Sequence, residues 1–134
     1  MTSKVIYKGD LRTECEHIQS GNTFITDAPT DNNGKGEAFS PTDTVATALA
    51  SCMITVMGIK AAQMNIELIG TTAEVTKVMA ADPRRISEIQ VLLNLPSVVD
   101  EKSRKILEHT AKTCPVMQSL NKAMLQEITF KWDQ

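Results

Sequence analysis

Alternating apolar and polar positions predict strands near both ends of the chain and in its middle. In residues 4–18, Cys15 and His17 share one face while Glu14 and Glu16 share the other, so the whole segment is predicted as one strand. The turn signal QSGN separates it from the next strand. The predicted strands are residues 4–18, 23–28, 70–80, 86–95 and a last segment at 127–132.

An uncharged run from Thr44 to Ile59 predicts a first helix that is buried on nearly every side. Ser40 is the expected N-cap and Pro41 suits the first helical position. Asp43 lies three residues after the cap, where a capping box would have Glu or Gln and where an acid suits the helix dipole. The run is too short and too rich in Thr and Ser to be predicted as a membrane span.

Two more helices are predicted between the fourth and the last strand. Asp100 is the expected N-cap of the first of them, and Cys114 lies at the end of its apolar stripe. Pro115 then begins a short helix predicted over 116–124, with Cys114 at or beside its cap. The stripe consists of Ser103, Ile106, Leu107, Thr110, Ala111 and Cys114.

The order of these elements predicts an α+β fold in which an antiparallel sheet packs over the helices. A length of 134 residues predicts a single domain over 1–134. Residues 29–39 are rich in Gly, Asn and Asp without apolar periodicity and are predicted as a mobile loop. Its glycines Gly34 and Gly36 lack the strand and spacing of a phosphate-binding loop.

Composition and charge exclude several classes of partner. A net charge of -2 without a basic cluster argues against nucleic acid. The N-terminal residues do not form a signal peptide, so a cytoplasmic location is expected. Three cysteines at wide spacing do not form a disulfide framework, and neither CxxC nor HxxxH spacing is present, so no structural metal is predicted.

The cysteines are the candidate reactive groups. Cys114 lies at a predicted helix N-terminus, where the dipole and free N–H groups favour a thiolate. Cys52 lies in the apolar helix, and its nearest cation in sequence is Lys60. Free cysteines are also frequent as inert core residues, so both readings stay open at this point. Cys15 and His17 merely share a strand face without an orienting third group.

Two stretches taken together carry a family resemblance: SPTDTVATALASC at 40–52 and CPV at 114–116. This pair resembles the OsmC/Ohr family of thiol peroxidases. The resemblance implies that Cys52 is the peroxidatic cysteine, which becomes a sulfenic acid, and that Cys114 is the resolving cysteine, which forms a disulfide with it. It further implies an OsmC-like fold, an intertwined homodimer, an organic hydroperoxide substrate, a dithiol reductant and no metal, haem or flavin cofactor.

The resemblance departs from the family pattern beside Cys52. The position of the family's activating glutamate is Thr42 here, and the acid follows at Asp43, which is either an accessory residue or a helix-start residue. Arg12 is the nearest candidate for the activating arginine, although its alternation with Glu14 indicates an exposed strand face. The alternatives are a non-catalytic OsmC-like protein that binds a small molecule or lipid, with reduced cysteines, and a structural dimer with inert thiols.

Overall fold

A computed structural model describes all residues, Met1–Gln134, and its contacts group into two compact units, Met1–Val45 and Ala46–Gln134. Six strands and three α-helices confirm the α+β class. The prediction of one domain over 1–134 stays a prediction. The elements are β1 (Ser3–Gly9), β2 (Arg12–His17), β3 (Thr23–Asp27), α1 (Pro41–Gln63), β4 (Thr72–Ala80), β5 (Arg85–Asn94), α2 (Glu101–Ala111), α3 (Pro115–Ser119) and β6 (Leu125–Lys131).

The first unit contains an antiparallel sheet in the order β1-β2-β3. The prediction of one strand over 4–18 is wrong, because the chain reverses between Gly9 and Arg12. Gly9, Asp10 and Leu11 all have positive φ, at 87°, 53° and 62°. Gly and Asp tolerate the left-handed region, so this short turn signal outweighs the alternation on either side of it.

The loop that follows β3 folds back on its own start. A 3-10 turn occupies Thr30–Asn32, and the Gly36 amide donates to the Ala28 carbonyl at 3.2 Å. Gly34 passes so close that a Cβ there would lie 1.7 Å from the same carbonyl oxygen. Only glycine fits this crossing, so Gly34 has a structural role rather than a phosphate-binding one.

Helix α1 begins as predicted and is longer than predicted. Its buried residues lie on one face: Ala46, Leu49, Ala50, Met53, Met57 and Ala61. The prediction of burial on nearly every side is therefore wrong for the single chain, since Ser51, Thr55 and Ile59 on other sides are exposed. By length and composition α1 is apolar enough to cross a membrane, and the core helices of soluble proteins meet the same two criteria. In its apolar 18-residue segment, 33% is buried.

The second unit contains a sheet in the order β4-β5-β6. β4 pairs antiparallel with β5, whereas β6 pairs parallel with β5, so the expected antiparallel sheet is in fact mixed. The parallel pair is possible because β6 is reached through the long connection that contains α2 and α3. Ile128 and Phe130 of β6 alternate with exposed polar residues, and both pack on the core together with Trp132, which directly follows the strand.

The core of the second unit combines the buried faces of β5, α1 and α2. Ile89, Val91 and Leu93 of β5 are at most 1% exposed, and Leu107 and Ala111 come from α2. Helix α2 starts as predicted: the Asp100 carboxylate accepts a hydrogen bond from the Ser103 amide at 3.1 Å. Hydrogen bonding by the Ser103 side chain, and then by its amide, lowers the pKa of Asp100.

Candidate thiol site

The second unit brings the two cysteines of the resemblance together. Cys52 lies in α1 and Cys114 directly precedes α3, and the two thiols are near enough that Cys52 contributes to the raised pKa of Cys114. All three cysteines of the chain are free. The pair is asymmetric, because Cys52 is partly exposed while Cys114 is 0% exposed. A reagent from solvent therefore reaches Cys52 first.

Cys114 is held by the backbone around it. As the N-cap of α3, its sulfur accepts a hydrogen bond from the Met117 amide at 3.3 Å. Its own amide donates to the Ala111 carbonyl at 3.3 Å, and its carbonyl accepts from the Gln118 amide at 3.2 Å. Pro115 has no amide hydrogen and is suited to the first helical position, which is why α3 begins there. The helix ends at Ser119 rather than at 124 as predicted.

Burial decides the protonation of Cys114. It raises the pKa of this thiol, and the Met117 amide opposes that change only in part, while the neighbouring Cys52 raises the pKa further. The helix-dipole argument for Cys114 as the more reactive thiol is therefore wrong: desolvation outweighs the cap. Cys114 is a protonated, protected thiol, and Cys52 is the accessible member of the pair.

Arg12 lies in an ion pair within the first unit rather than on an exposed strand face. Its Nε and Nη2 donate to the two Asp27 carboxylate oxygens at 2.7 and 2.8 Å. Glu37 lies 3.6 Å from Nη2, and the Glu37 amide donates to Asp27 at 3.2 Å. Asp27 is 0% exposed to solvent. The hydrogen bond from Arg12 lowers the pKa of this carboxyl group.

The sequence reasoning missed Asp27 as a partner. The strand TFITD ends on an acid, and the structure shows that this acid is 0% exposed. A buried carboxylate needs a cation or hydrogen-bond donors, so the nearest basic residue of the paired strand was the natural search. That residue is Arg12, which lies opposite Asp27 in the β2–β3 register.

Asp43 completes the capping box at the start of α1. The Ser40 amide donates to the Asp43 carboxylate at 3.0 Å, and the Asp43 amide donates to the Ser40 hydroxyl at 3.1 Å. Thr42 lies beside them, with its hydroxyl 3.2 Å from that of Ser40. This reciprocal pair accounts for an acid at position 43. An accessory role of Asp43 in chemistry stays a prediction.

The remaining Cys and His residues lie on other elements, Cys15 and His17 on β2 and His109 on α2. Cys15 is half-buried on β2 opposite Phe24 of β3, with its sulfur 3.9 Å from the Thr13 hydroxyl. The exposed His17 ring contacts the Ser20 hydroxyl at 2.6 Å through Nδ1. His109 is exposed on α2, as expected from its position outside the apolar stripe. No group of three or more His, Cys, Asp or Glu side chains is arranged to hold a metal ion.

A separate open groove of about 370 Å³ lies at the end of α1. Its walls are mainly apolar and belong to α1 and to the segment that follows it, including Ile54, Gly58, Ala62, Ile66 and Leu68. Neither Cys52 nor Cys114 lines it. The groove is therefore a candidate binding surface that is separate from the thiol pair.

Comparison with known proteins identifies the family of this chain. The model of the OsmC-like protein family matches residues 34–129. A structure from Psychrobacter arcticus, named for an osmotic stress induced and detoxification response, is 58% identical, covers 97% of this chain and 95% of its own, and has a TM-score of 0.94. No curated protein matches the sequence.

More distant structures share the fold. The organic hydroperoxide resistance protein OsmC of Legionella pneumophila is 15% identical over 98% of this chain and 97% of its own, with a TM-score of 0.76. The organic hydroperoxide resistance protein OhrB of Bacillus subtilis is 17% identical over 98% of both chains, with a TM-score of 0.69. With the family model spanning most of the sequence and a close structural relative over nearly all of it, this chain belongs to the OsmC-like protein family.

Proposed function

We propose that this protein is a thiol-dependent peroxidase that reduces organic hydroperoxides. The observation that carries the proposal is the asymmetric pair in which an accessible thiol, Cys52, lies against a buried thiol, Cys114. A redox or stress role is supported by family membership and by the names of the structural neighbours. Their names describe those proteins, and the reaction of this chain is inferred from its own residues.

The first step is attack by the Cys52 thiolate on the outer oxygen of the hydroperoxide. The O–O bond breaks, the alcohol leaves with a proton, and Cys52 becomes a sulfenic acid. The Cys114 thiol then attacks that sulfur, water leaves, and a Cys52–Cys114 disulfide forms. A dithiol reductant returns both cysteines to thiols while it becomes a disulfide itself. No metal, haem or flavin takes part in these steps.

The surroundings of Cys52 favour organic over inorganic peroxides. Helix α1 carries no charged side chain between Asp43 and Lys60, and Val56, one turn after Cys52, is partly buried against the core. An apolar approach stabilises an alkyl group by removing its surface from water. It offers no comparable gain to hydrogen peroxide.

Intact mass spectrometry after addition of stoichiometric organic hydroperoxide tests this proposal. Wild-type protein should lose two hydrogens, Cys52→Ser should not change, and Cys114→Ser should retain one added oxygen as the unresolved sulfenic acid. Cys15→Ser is the matched control and should behave as wild type. An unchanged wild-type mass, with thiols titratable only after unfolding, would contradict the peroxidase reaction.

We also propose that the working form is a cytoplasmic homodimer. The surface of α1 opposite its buried face is uncharged and holds Ser51, Thr55, Gly58 and Ile59, the last of which is 59% exposed. Small and apolar side chains in a row allow helices to approach closely, and burial of Ile59 would be favourable. A second copy of this chain is the partner that fits this surface.

A second candidate function is non-catalytic binding of a small apolar or lipid-like ligand, with the cysteines kept reduced. The groove of about 370 Å³ at the end of α1 favours it, as does the absence of a glutamate at Thr42. Isothermal titration with a medium-chain fatty acid distinguishes the two. Binding that is abolished by Ala62→Trp in the groove and unaffected by Cys52→Ser would support this alternative.

A further inference from the structure

The sulfur of Cys114 has a structural role in the reduced protein and a chemical role in the proposed reaction. In the reduced protein it accepts the Met117 amide hydrogen and caps α3. In the proposed reaction it bonds to Cys52. The effect of this bond on α3 rests on the proposed disulfide.

Helix α3 depends strongly on this cap. It has only five residues, Pro115–Ser119, with no acidic residue in its first turn and no basic residue in its last. Short helices gain little from their own hydrogen bonds, so capping and packing determine whether they form. Val116 and Met117 are only partly buried against the core, which leaves the cap as a substantial share of the local stability.

Disulfide formation removes that cap. The Cys114 sulfur must move from non-bonded contact to about 2.05 Å from the Cys52 sulfur, with a fixed dihedral angle. The Met117 amide thereby loses its partner, and the end of α3 loses an N-cap contribution.

We propose that oxidation of the thiol pair releases the α3 cap, and that the loosened α3 exposes the Cys114 sulfur as the atom that the dithiol reductant attacks. In the reduced state Cys114 is fully buried and shielded from oxidants. In the oxidised state the same segment opens toward the reductant. The hydroperoxide thus reacts with the Cys52 sulfur, and the reductant reacts with the Cys114 sulfur.

The electron balance of the reductive step follows from this choice. One reductant thiolate attacks the Cys114 sulfur, the Cys52–Cys114 bond breaks, and the electron pair leaves on Cys52, which takes up a proton. The second reductant thiol then attacks the mixed disulfide, forms the cyclic disulfide of the reductant and releases the Cys114 thiol.

Hydrogen exchange followed by mass spectrometry tests the loss of the cap. The disulfide is made with diamide, so the test does not depend on peroxide chemistry. Amides of residues 117–119 should exchange about fivefold faster in the oxidised protein, as expected for a lost N-cap. The peptide that covers α2 is the internal control and should not change. The Cys52→Ser variant treated with diamide should exchange as the reduced wild type does. If that variant does not fold, Cys52→Ala takes its place.

Trapping with the monothiol 2-mercaptoethanol tests which sulfur is attacked. The oxidised protein is mixed briefly with the thiol, quenched with acid and alkylated, and the tryptic peptide of residues 113–122 is analysed. The mixed disulfide should lie on Cys114 and the alkyl group on Cys52. A mixed disulfide on Cys52 instead would overturn the assignment of the attacked sulfur.

The outcomes separate this inference from the proposed function. A diamide disulfide without faster exchange at residues 117–119 overturns the cap release and leaves the peroxidase proposal intact. A disulfide that forms with diamide but not with hydroperoxide, accompanied by faster exchange, supports the cap release and overturns the peroxidase reaction. Failure to form the Cys52–Cys114 disulfide with either oxidant overturns both.

Discussion

At the scale of single residues, Cys52 and Cys114 are the same chemical group in different surroundings. Cys114 is fully buried, and its pKa is raised because desolvation outweighs the amide that contacts its sulfur. Cys52 is partly exposed on α1. Reactivity toward a solvent-borne reagent therefore follows access and protonation.

The first prediction concerns the order of alkylation. In the reduced, folded protein, iodoacetamide should modify Cys52 well before Cys114, and peptide mass spectrometry measures both sites. Because the pKa of Cys114 is raised, its labelling should increase only when the pH exceeds the pKa of an ordinary cysteine. Cys15→Ser provides a background without the third thiol. Faster labelling of Cys114 than of Cys52 at neutral pH would contradict the assignment of roles.

The raised pKa of Cys114 also has a consequence for stability. Folding favours the protonated thiol, so this contribution is fully present below the pKa of the unfolded cysteine. As the pH rises through the raised pKa of the folded state, the contribution is lost. The free energy of unfolding of wild type should therefore fall in the alkaline range more steeply than that of Cys114→Ser.

The second prediction separates the cap from the thiol chemistry at position 114. Cys114→Ser retains a side-chain acceptor for the Met117 amide, whereas Cys114→Ala does not. The alanine variant should be less stable than the serine variant by about 1 kcal/mol, the usual value of an N-cap. Urea denaturation followed by circular dichroism measures the difference. Equal stability of the two variants would mean that the sulfur contributes little as a cap.

At the scale of secondary-structure elements, the Arg12–Asp27 pair connects β2 to the end of β3. The loop that follows β3 is tied to the same pair. The Glu37 amide donates to the Asp27 carboxylate, and the Phe39 carbonyl accepts from the Asp27 amide at 3.0 Å. A buried carboxylate that loses its cation is left desolvated without compensation. The pair is therefore a structural junction of the first unit.

The third prediction is the effect of Arg12→Gln. The variant should unfold at a lower temperature than wild type, and its loss should exceed that of Lys8→Gln, which removes an exposed contact of 3.6 Å with Glu14. Thermal denaturation by circular dichroism measures both. A change no larger than that of the control would show that Asp27 finds other donors.

The pH dependence of the same variant follows from the lowered pKa of Asp27. In wild type the ionised Asp27 contributes stability above the pKa of the unfolded carboxyl, and this contribution is lost as the pH falls through the lower pKa of the folded state. Arg12→Gln removes the main cause of that lower pKa. Between pH 6 and the acid range, about pH 3, its stability should therefore change less than that of wild type.

At the scale of the whole molecule, the single chain leaves apolar surface uncovered. Val5, Tyr7 and Phe24 of the first sheet are 59%, 65% and 51% exposed, and Ile69 after α1 is 85% exposed. Val5, Tyr7 and Phe24 share one face of the first sheet, and an apolar face of this kind usually marks an interaction site. Together with the uncharged surface of α1, it supports the proposed homodimer.

The fourth prediction places a charge on that surface of α1. Thr55→Glu should convert the dimer to a monomer, because two carboxylates would be brought together in a desolvated contact. Size-exclusion chromatography with light scattering measures the mass. Lys105→Glu on the exposed side of α2 is the matched control and should remain dimeric. A monomeric wild-type protein, or a dimeric Thr55→Glu, would contradict the proposed interface.

Local sequence rules predicted the starts of helices better than they predicted partners. Asp100 and Ser40 were identified as caps because capping involves residues only three positions apart. The same local reasoning merged β1 and β2, because alternation continues on both sides of a turn only a few residues long. It also extended α3 beyond Ser119, where periodicity cannot show that the chain leaves the helix.

The sequence by itself determined the α+β class, the caps of α1 and α2 and, through two short motifs, the family, since each depends on neighbours along the chain. Only the tertiary structure decided that Cys52 and Cys114 contact each other, that Arg12 pairs with Asp27 and that β6 runs parallel to β5. It also decided the protonation of Cys114. Burial and contact between distant segments set these properties, and neither is encoded in local spacing.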